Sequence, residues 1–314
     1  MKSFDVLVIG ELNIDIILDD IQGFPEIGKE IMADQLNLTL GSSSAIFASN
    51  LSALGMSVAI VGLLGKDSFA DSIKKFLFDK KVNTDFVMSS DRYSTGLTIV
   101  MNYGMDRANV TFPGAMEHLS VEDITDEMLL SCKHMHLSSI FLQKGIKKQA
   151  VQLFQRAKRL GITTSMDPQW DPAENWELNL AGLLPHLDVW MPNVVEFKNI
   201  TGVQDIANGL EKIKEYANYV VIKDGIRGAH LWDNGNLTSK PAFLNSEVAD
   251  CIGAGDSFDA GFISEFVNGS ELNRCLEVGN VMGAINTLEP GGTTSFKNRE
   301  YIKKIAKERF EFTL

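Results

Sequence analysis

Asp250-Cys251-Ile252-Gly253-Ala254-Gly255-Asp256-Ser257-Phe258 is the stretch from which the rest of the chain can be read. Beyond it Phe258, Phe262 and Phe266 recur at every fourth position, the apolar stripe of a helix. Gly253, Ala254 and Gly255 therefore fall at a helix N-terminus, where free N–H groups and the macrodipole favour an anion. Having little or no side chain, they would let a phosphate approach the backbone. Asp256 would repel a resting phosphate, but it suits a hydroxyl attacking a phosphoryl group held by the loop. A second reading makes Asp256 a helix N-cap and the glycines the turn before it. The stretch is not a Walker A loop, because it lacks the lysine. Nor is it a dinucleotide fingerprint, because Phe258 stands where glycine or alanine is needed.

The 314 residues are 45% hydrophobic and 22% charged, proportions of a globular protein with room for a large α/β core. A net charge of -12 argues against nucleic acid or an anionic membrane as the main partner. Any phosphate site must then be locally rich in N–H groups or cations. Cys132, Cys251 and Cys275 lie far apart, which argues against a disulfide framework and points to a reducing cytoplasm. No apolar run approaches the roughly 18 residues of a membrane span.

Short apolar runs ending in polar residues recur along the chain. Val6–Ile9, Val58–Val61, His134–Leu137, Ile162–Met166, Leu187–Trp190 and Val220–Ile222 alternate with helical segments, including 121–130 and 146–160. This rhythm predicts a doubly wound, mostly parallel sheet flanked by helices. Asn13, Asp67, Ser138, Asp167, Asn193 and Lys223 follow strand ends, where open α/β sheets bind ligands. Residues 94–113 break the rhythm: two strand-like runs flank a turn around Tyr103–Asp106, a hairpin. With segments 12–18 and 31–40 it predicts a small separate sheet, a lid over the active face. Cys132, His134 and His136 would share one strand face, as buried positions or as part of a metal site needing further ligands.

These motifs resemble those of the ribokinase-like, PfkB-type carbohydrate kinases, over nearly the whole chain. Asp250-x-x-Gly253-Ala254-Gly255-Asp256, with Ala260-Gly261 following, is similar to that family's C-terminal signature. The resemblance implies one ribokinase-like α/β domain over residues 1–314, with a β lid built from 12–40 and 94–113. It implies Asp256 as catalytic base, and Gly253, Ala254 and Gly255 as an anion hole. Asn13 and Asp15, in Gly10-x-x-Asn13-x-Asp15, would meet the sugar. Asn193 and Glu196 would organise Mg2+ and the phosphates of ATP, with Lys223, Gly225, Gly228 and Asn280 on the nucleotide. Asp250 and Ile252, with Thr287, Pro290, Gly292 and Ser295, would form a monovalent-cation site for K+. The lid often also makes a homodimer contact in this family.

The departures lie on the sugar side. Where the family has Gly-Gly-x-x-x-Asn, this chain has Gly41-Ser42-Ser43-Ser44-Ala45-Ile46. Ser138 stands where ribokinase places a sugar-binding glutamate, and Asp167-Pro168-Gln169-Trp170 replaces an Asp-Pro-Asn motif. Ile46 cannot hydrogen-bond a hydroxyl, whereas Ser42 and Ser43 restore polarity and Trp170 could stack on a ring. The expected activity is ATP-dependent phosphorylation of a primary hydroxyl of a small sugar or sugar acid. Two alternatives stand beside it: a nucleoside kinase of the same fold, and a non-catalytic sugar or nucleotide sensor.

Overall fold

The structure is a computed structural model that describes residues 2–103 and 106–314. Among these residues, β1 (Phe4–Ile9), β2 (Asn13–Ile21), β3 (Ala33–Leu40), β4 (Val58–Leu64), β5 (Val87–Ser89), β6 (Gly96–Tyr103) and β7 (Asp106–Phe112) come first. They are followed by β8 (Cys132–Ser138), β9 (Thr163–Asp167), β10 (Val189–Trp190), β11 (Tyr219–Lys223), β12 (Ala229–Asp233) and β13 (Asn236–Lys240).

The main sheet runs β13-β12-β11-β10-β9-β8-β1-β4-β5. It is parallel from β5 to β11, and β12 and β13 close one edge antiparallel. In the middle, β1 is buried on both faces. Leu7 and Ile9 enter one core and Val6 and Val8 the other, the two-sided burial that a parallel strand needs. The expected doubly wound sheet is present.

Three strands lay outside the sequence expectation: β5, β12 and β13. The run 121–130, expected as one helix, is instead a 3-10 turn at Val121–Asp123 and a short helix at Asp126–Leu130. Two caps split it: Asp123 closes a box with Ser120, and Thr125 restarts the chain by accepting from Met128 N.

Directly after Gly10 the chain leaves the main sheet and enters a second one, ordered β3-β2-β6-β7. The two strand-like runs of 94–113 pair antiparallel as β6 and β7, with Thr98 opposite Thr111. The expected turn between them includes Gly104 and Met105, which lie outside the described residues. Strand β2 pairs with β6 in parallel, placing Asp15 beside Thr98. This small sheet stands over the C-terminal ends of the main strands.

Candidate active site

Two cavities meet at the start of the helix Ala254–Val267. The first, about 580 Å³, lies under the small sheet and is lined by Glu11, Asn13, Asp15, Ile46, Trp170 and Asp256 among others. The second, about 480 Å³, is lined by Asn193, Glu196, Lys223, Gly225, Gly228 and Asn280 among others. Among the described residues, only Arg107, Gln169, Gly253 and Asp256 line both. Each volume suits a small-molecule site.

The helix begins at Gly253, which caps it in the left-handed region at φ 74°, and no side chain caps its first turn. Ala254 N donates to the Cys251 carbonyl at 3.3 Å, and the N–H groups of Gly253 and Gly255 beside it suit an anion. Asp256 lies inside the first turn and is not the cap, so the cap alternative does not hold for it. Phe258, Phe262 and Phe266 stack along the helix with ring centroids 6.5 and 6.3 Å apart, the stripe expected from their spacing. That stripe anchors the helix in the core and leaves its N-terminus at the junction.

Asp256 is 6% exposed. Burial and the charge of Asp167 push its pKa well above the ordinary carboxylate range, against the pull of Lys223. Gln169 Nε2 donates to Asp256 Oδ1 at 2.9 Å and to Asp167 Oδ2 at 2.6 Å. Lys223 Nζ bonds Asp167 Oδ2 at 2.7 Å and Asp259 Oδ2 at 2.9 Å. Burial works to lower the lysine's pKa, but Asp167, Asp259 and Glu196 outweigh it and hold the ammonium charged. A Cβ on Gly255 would come within 3.7 Å of Lys223 Nζ, so this cation sits beside the anion loop.

In the first cavity, Asn13 is engaged within the protein. It donates to Asp15 Oδ1 and Thr98 Oγ1 and accepts from Ser42 N. Asp15 keeps acceptor capacity toward the cavity. Burial raises its pKa to about 6, against hydrogen bonds from Asn13 and Thr98 and the charge of Arg107. A Cβ on Gly41 would fall 2.2 Å from Asp15 Oδ1, so only glycine fits beneath that carboxylate.

Ser42 lines the cavity, yet its hydroxyl donates to the Glu11 carbonyl and accepts from Ala45 N as a helix cap. Ser43 is half-buried and faces Asp256. Ile46 rests against the loop, since a Cβ on Gly292 would meet its Cδ1 at 2.6 Å. Trp170 is 49% exposed and packs edge-on against Trp176.

Ser138 does not reach the cavity. It is buried beside His136 Nε2 at 2.9 Å, and its neighbour Ser139 lines the cavity instead. Asp67 is also away from both cavities, capping the helix Ser68–Asp79 and accepting from Thr95 N. His134 and His136 share Ser165 as a partner in a buried ladder, and burial lowers both pKa values. Among the described residues, no group of three or more His, Cys, Asp or Glu side chains could hold a metal.

In the second cavity, Gly228 sits at φ 98°, where a Cβ would strike the Lys240 carbonyl at 2.0 Å, and Gly225 is also left-handed. Asn280 donates to the Lys240 and Pro241 carbonyls, steadying the same wall. Asn193 and Glu196 form a capping box. Asn193 Oδ1 accepts from Glu196 N at 2.9 Å, and Glu196 Oε2 accepts from Asn193 N at 2.8 Å. Burial and Asp167 push the Glu196 pKa to about 8, with Lys223 opposing. Asp167, Asp259 and Glu196 thus surround one ammonium, and of the three only Glu196, beside Asn193, lines the second cavity, where a divalent cation brought in with phosphates would displace its proton.

The expected K+ site fits less well. Asp250 accepts from Ile252 N at 2.8 Å and from Gly291 N at 2.7 Å. The Ile252 carbonyl accepts from Asn286 Nδ2 at 2.6 Å, and the Gly292 carbonyl from Asn50 Nδ2 at 2.8 Å. Thr287 Oγ1 donates to the Ala284 carbonyl, and Ser295 Oγ bonds the Asn286 carbonyl at 3.5 Å. Pro290 belongs to the same segment, and nothing further marks it as a ligand. Two of the expected carbonyl ligands therefore each already accept an amide N–H.

Asp259, Gln169, Glu11 and Arg107 were not expected as site residues. Glu11 is buried and accepts from Ser44 Oγ at 2.5 Å and Ser139 Oγ at 3.0 Å. It fixes Ser44 in the core and Ser139 at the wall of the first cavity.

An uncapped helix N-terminus and a buried carboxylate between two cavities define a phosphotransferase that acts on a sugar hydroxyl. The chain belongs to the pfkB family of carbohydrate kinases, which it matches over residues 3–299. It is 26% identical over 311 residues to an ATP-dependent 6-phosphofructokinase of Thermoanaerobacterium thermosaccharolyticum, covering 97% of this chain and 94% of that one. Its fold is shared with Arabidopsis thaliana ribokinase complexed with ribose and ATP (TM-score 0.85, 23% identity, 97% and 99% of the two chains). It is shared too with a Methanocaldococcus jannaschii nucleoside kinase (TM-score 0.82, 19% identity, 99% of each chain).

Proposed function

We propose that the protein transfers the γ-phosphoryl group of ATP to a primary hydroxyl of a small sugar or sugar acid, with Asp256 as the general base. The observation that carries this reading is the position of Asp256, which lines both cavities three residues after Gly253, at the start of a helix that no side chain caps. The acceptor would lie in the 580 Å³ cavity with hydroxyls donating to Asp15. Asp256 takes the proton of the attacking hydroxyl as its oxygen bonds the γ-phosphorus and the bond from that phosphorus to the bridging oxygen breaks to release ADP, while the Gly253–Gly255 loop presents N–H groups to the charge that develops. Lys223 adds a fixed cation beside them. Asn193 and Glu196 would hold Mg2+, which when bound neutralises phosphate charge. Gly225, Gly228 and Asn280 would shape the wall for the base and ribose of ATP.

The small sheet serves as a lid in this reading, because Thr98, Arg107 and Thr111 close the acceptor cavity from above. Leu36 and Leu38 of β3 and Val110 and Phe112 of β7 are exposed, which supports a homodimer through the lid. Light scattering of purified protein would test that assembly. No helix among the described residues is long and apolar enough to cross a membrane. The three free cysteines support a cytoplasmic location.

A nucleoside acceptor is the second reading, favoured by Ile46, Met116, Leu142 and Trp170 on the acceptor wall. A coupled ADP-release screen over pentoses, ketohexoses, keto-deoxy sugar acids and nucleosides tests both readings. ATP turnover with a sugar or sugar acid supports the first, and turnover with nucleosides alone overturns it.

A further inference from the structure

Gln169 stands in an unusual backbone position at the junction of the two cavities. Its φ of 59° is left-handed, a region that side-chain-bearing residues seldom enter and that is held by surrounding contacts. Those contacts are specific. The side-chain amide donates to Asp167 Oδ2 at 2.6 Å and to Asp256 Oδ1 at 2.9 Å. The backbone N–H points to Asp167 Oδ1 at 3.4 Å. Asp167 closes β9 and Asp256 lies on the helix opposite, so the amide bridges two carboxylates from different elements.

We propose that Gln169 is a positioning residue for phosphoryl transfer: its amide aims the Asp256 carboxylate into the junction and separates it from Asp167. The proposal rests on Asp256 being the base. The charged groups that face Asp256 are Asp167 from β9, Lys223 from β11, Glu11 after β1 and Arg107 from β7, with Ser43 as a neutral neighbour. Of the two acidic neighbours that raise its proton affinity, Asp167 is the stronger. Lys223 is committed to Asp167 and Asp259, which leaves the Gln169 amide as the donor between the two carboxylates. Without that donor, Asp256 faces the charge of Asp167 directly and binds its proton more tightly.

The test compares kcat and both KM values from about pH 5.5 to about pH 9 for the wild type, Gln169→Leu, Gln169→Asn and Gln169→Glu, with Asp256→Asn as reference. The acceptor is whichever compound the ADP-release screen identifies. Gln169→Leu is expected to lower kcat by about 10- to 100-fold, leave both KM values within about twofold, and move the acid limb of kcat up by about one pH unit. Gln169→Glu is expected to move the limb further, because it adds a third carboxylate. Gln169→Asn tolerates the left-handed backbone well and keeps a shorter amide, so it should recover part of kcat and guards against a folding failure.

An unmoved acid limb in both Gln169→Leu and Gln169→Glu overturns the proposal, as does a change confined to KM. If Asp256→Asn keeps wild-type turnover, the base assignment itself fails. A dead Asp256→Asn with unmoved limbs in the Gln169 variants removes only the role of Gln169.

Discussion

Ile46, on the helix that borders the acceptor cavity, lies against Gly253 of the anion loop: a Cβ on Gly253 would stand 3.0 Å from Ile46 Cγ2 and 2.7 Å from Gly292 Cα. The acceptor wall and the phosphate loop are therefore one packed unit. Gly253→Ala puts a side chain into that contact at φ 74°, where an L-residue is already strained. It is expected to cost about 1–3 kcal/mol of stability and to lower kcat by more than about 10-fold. Thermal unfolding and steady-state kinetics of the variant check both. Wild-type kcat would show that the loop tolerates displacement.

In the proposed reading Ile46 also bears on the choice of acceptor. A branched apolar side chain offers no hydrogen bond where the resembled motif Gly-Gly-x-x-x-Asn has asparagine, so ribose should be a weak acceptor. Ile46→Asn is expected to lower the KM for ribose by about 10-fold, the worth of one hydrogen bond of about 1.4 kcal/mol. Loss of the contact to Gly253 should cost some stability at the same time. Kinetics with ribose at saturating ATP give the answer, and an unchanged KM would remove Ile46 from the acceptor contacts.

The pH dependence of acceptor binding should report Asp15. Its pKa is raised to about 6 by burial, with Asn13, Thr98 and Arg107 pulling down and Glu11 pushing up. Below that pH it carries a proton and accepts hydroxyl donors poorly; above it the carboxylate is available. Acceptor KM is thus expected to rise as pH falls through about 6. Asp15→Asn should raise KM by about 10-fold at neutral pH and flatten the profile. A break that persists in Asp15→Asn would assign it to another group.

The amides of Asn50 and Asn286 donate to the Gly292 and Ile252 carbonyls, two of the groups expected to face a monovalent cation. Replacing K+ by tetramethylammonium at constant ionic strength is expected to change kcat by less than about twofold, since the loop is already cross-linked by N–H donors. Strong activation by K+ would mean that the asparagines give way to the ion.

Contiguous motifs made the centre of the site legible. Asp256, Lys223 and the Asn193–Glu196 pair each lie at a strand end or helix start that the hydrophobic pattern marks. Residues that reach the site by folding were harder to see. Asp259 follows Asp256 by three positions on the same helix, so it shares the face and meets Lys223. That spacing was a usable signal. Gln169 and Glu11 stood inside segments already singled out, but only the tertiary contacts of their side chains give them a place.

The fold was legible wherever strands were buried on both faces. The hairpin of β12 and β13 is half-exposed, and its Asn234-Gly235 turn, with φ of 46° and 93°, was the overlooked signal. Ser138 shows the opposite limit. A one-residue step at a strand end reverses the face, which sends Ser138 inward and Ser139 to the cavity.

The most direct measurement is acceptor-dependent ADP release by purified wild-type protein and Asp256→Asn, each with ATP and Mg2+ and each checked for fold by thermal unfolding. The expected result is turnover by the wild type with a small sugar or sugar acid, and a loss of at least about 10³-fold in a folded Asp256→Asn. A folded Asp256→Asn that turns over at the wild-type rate would contradict the account.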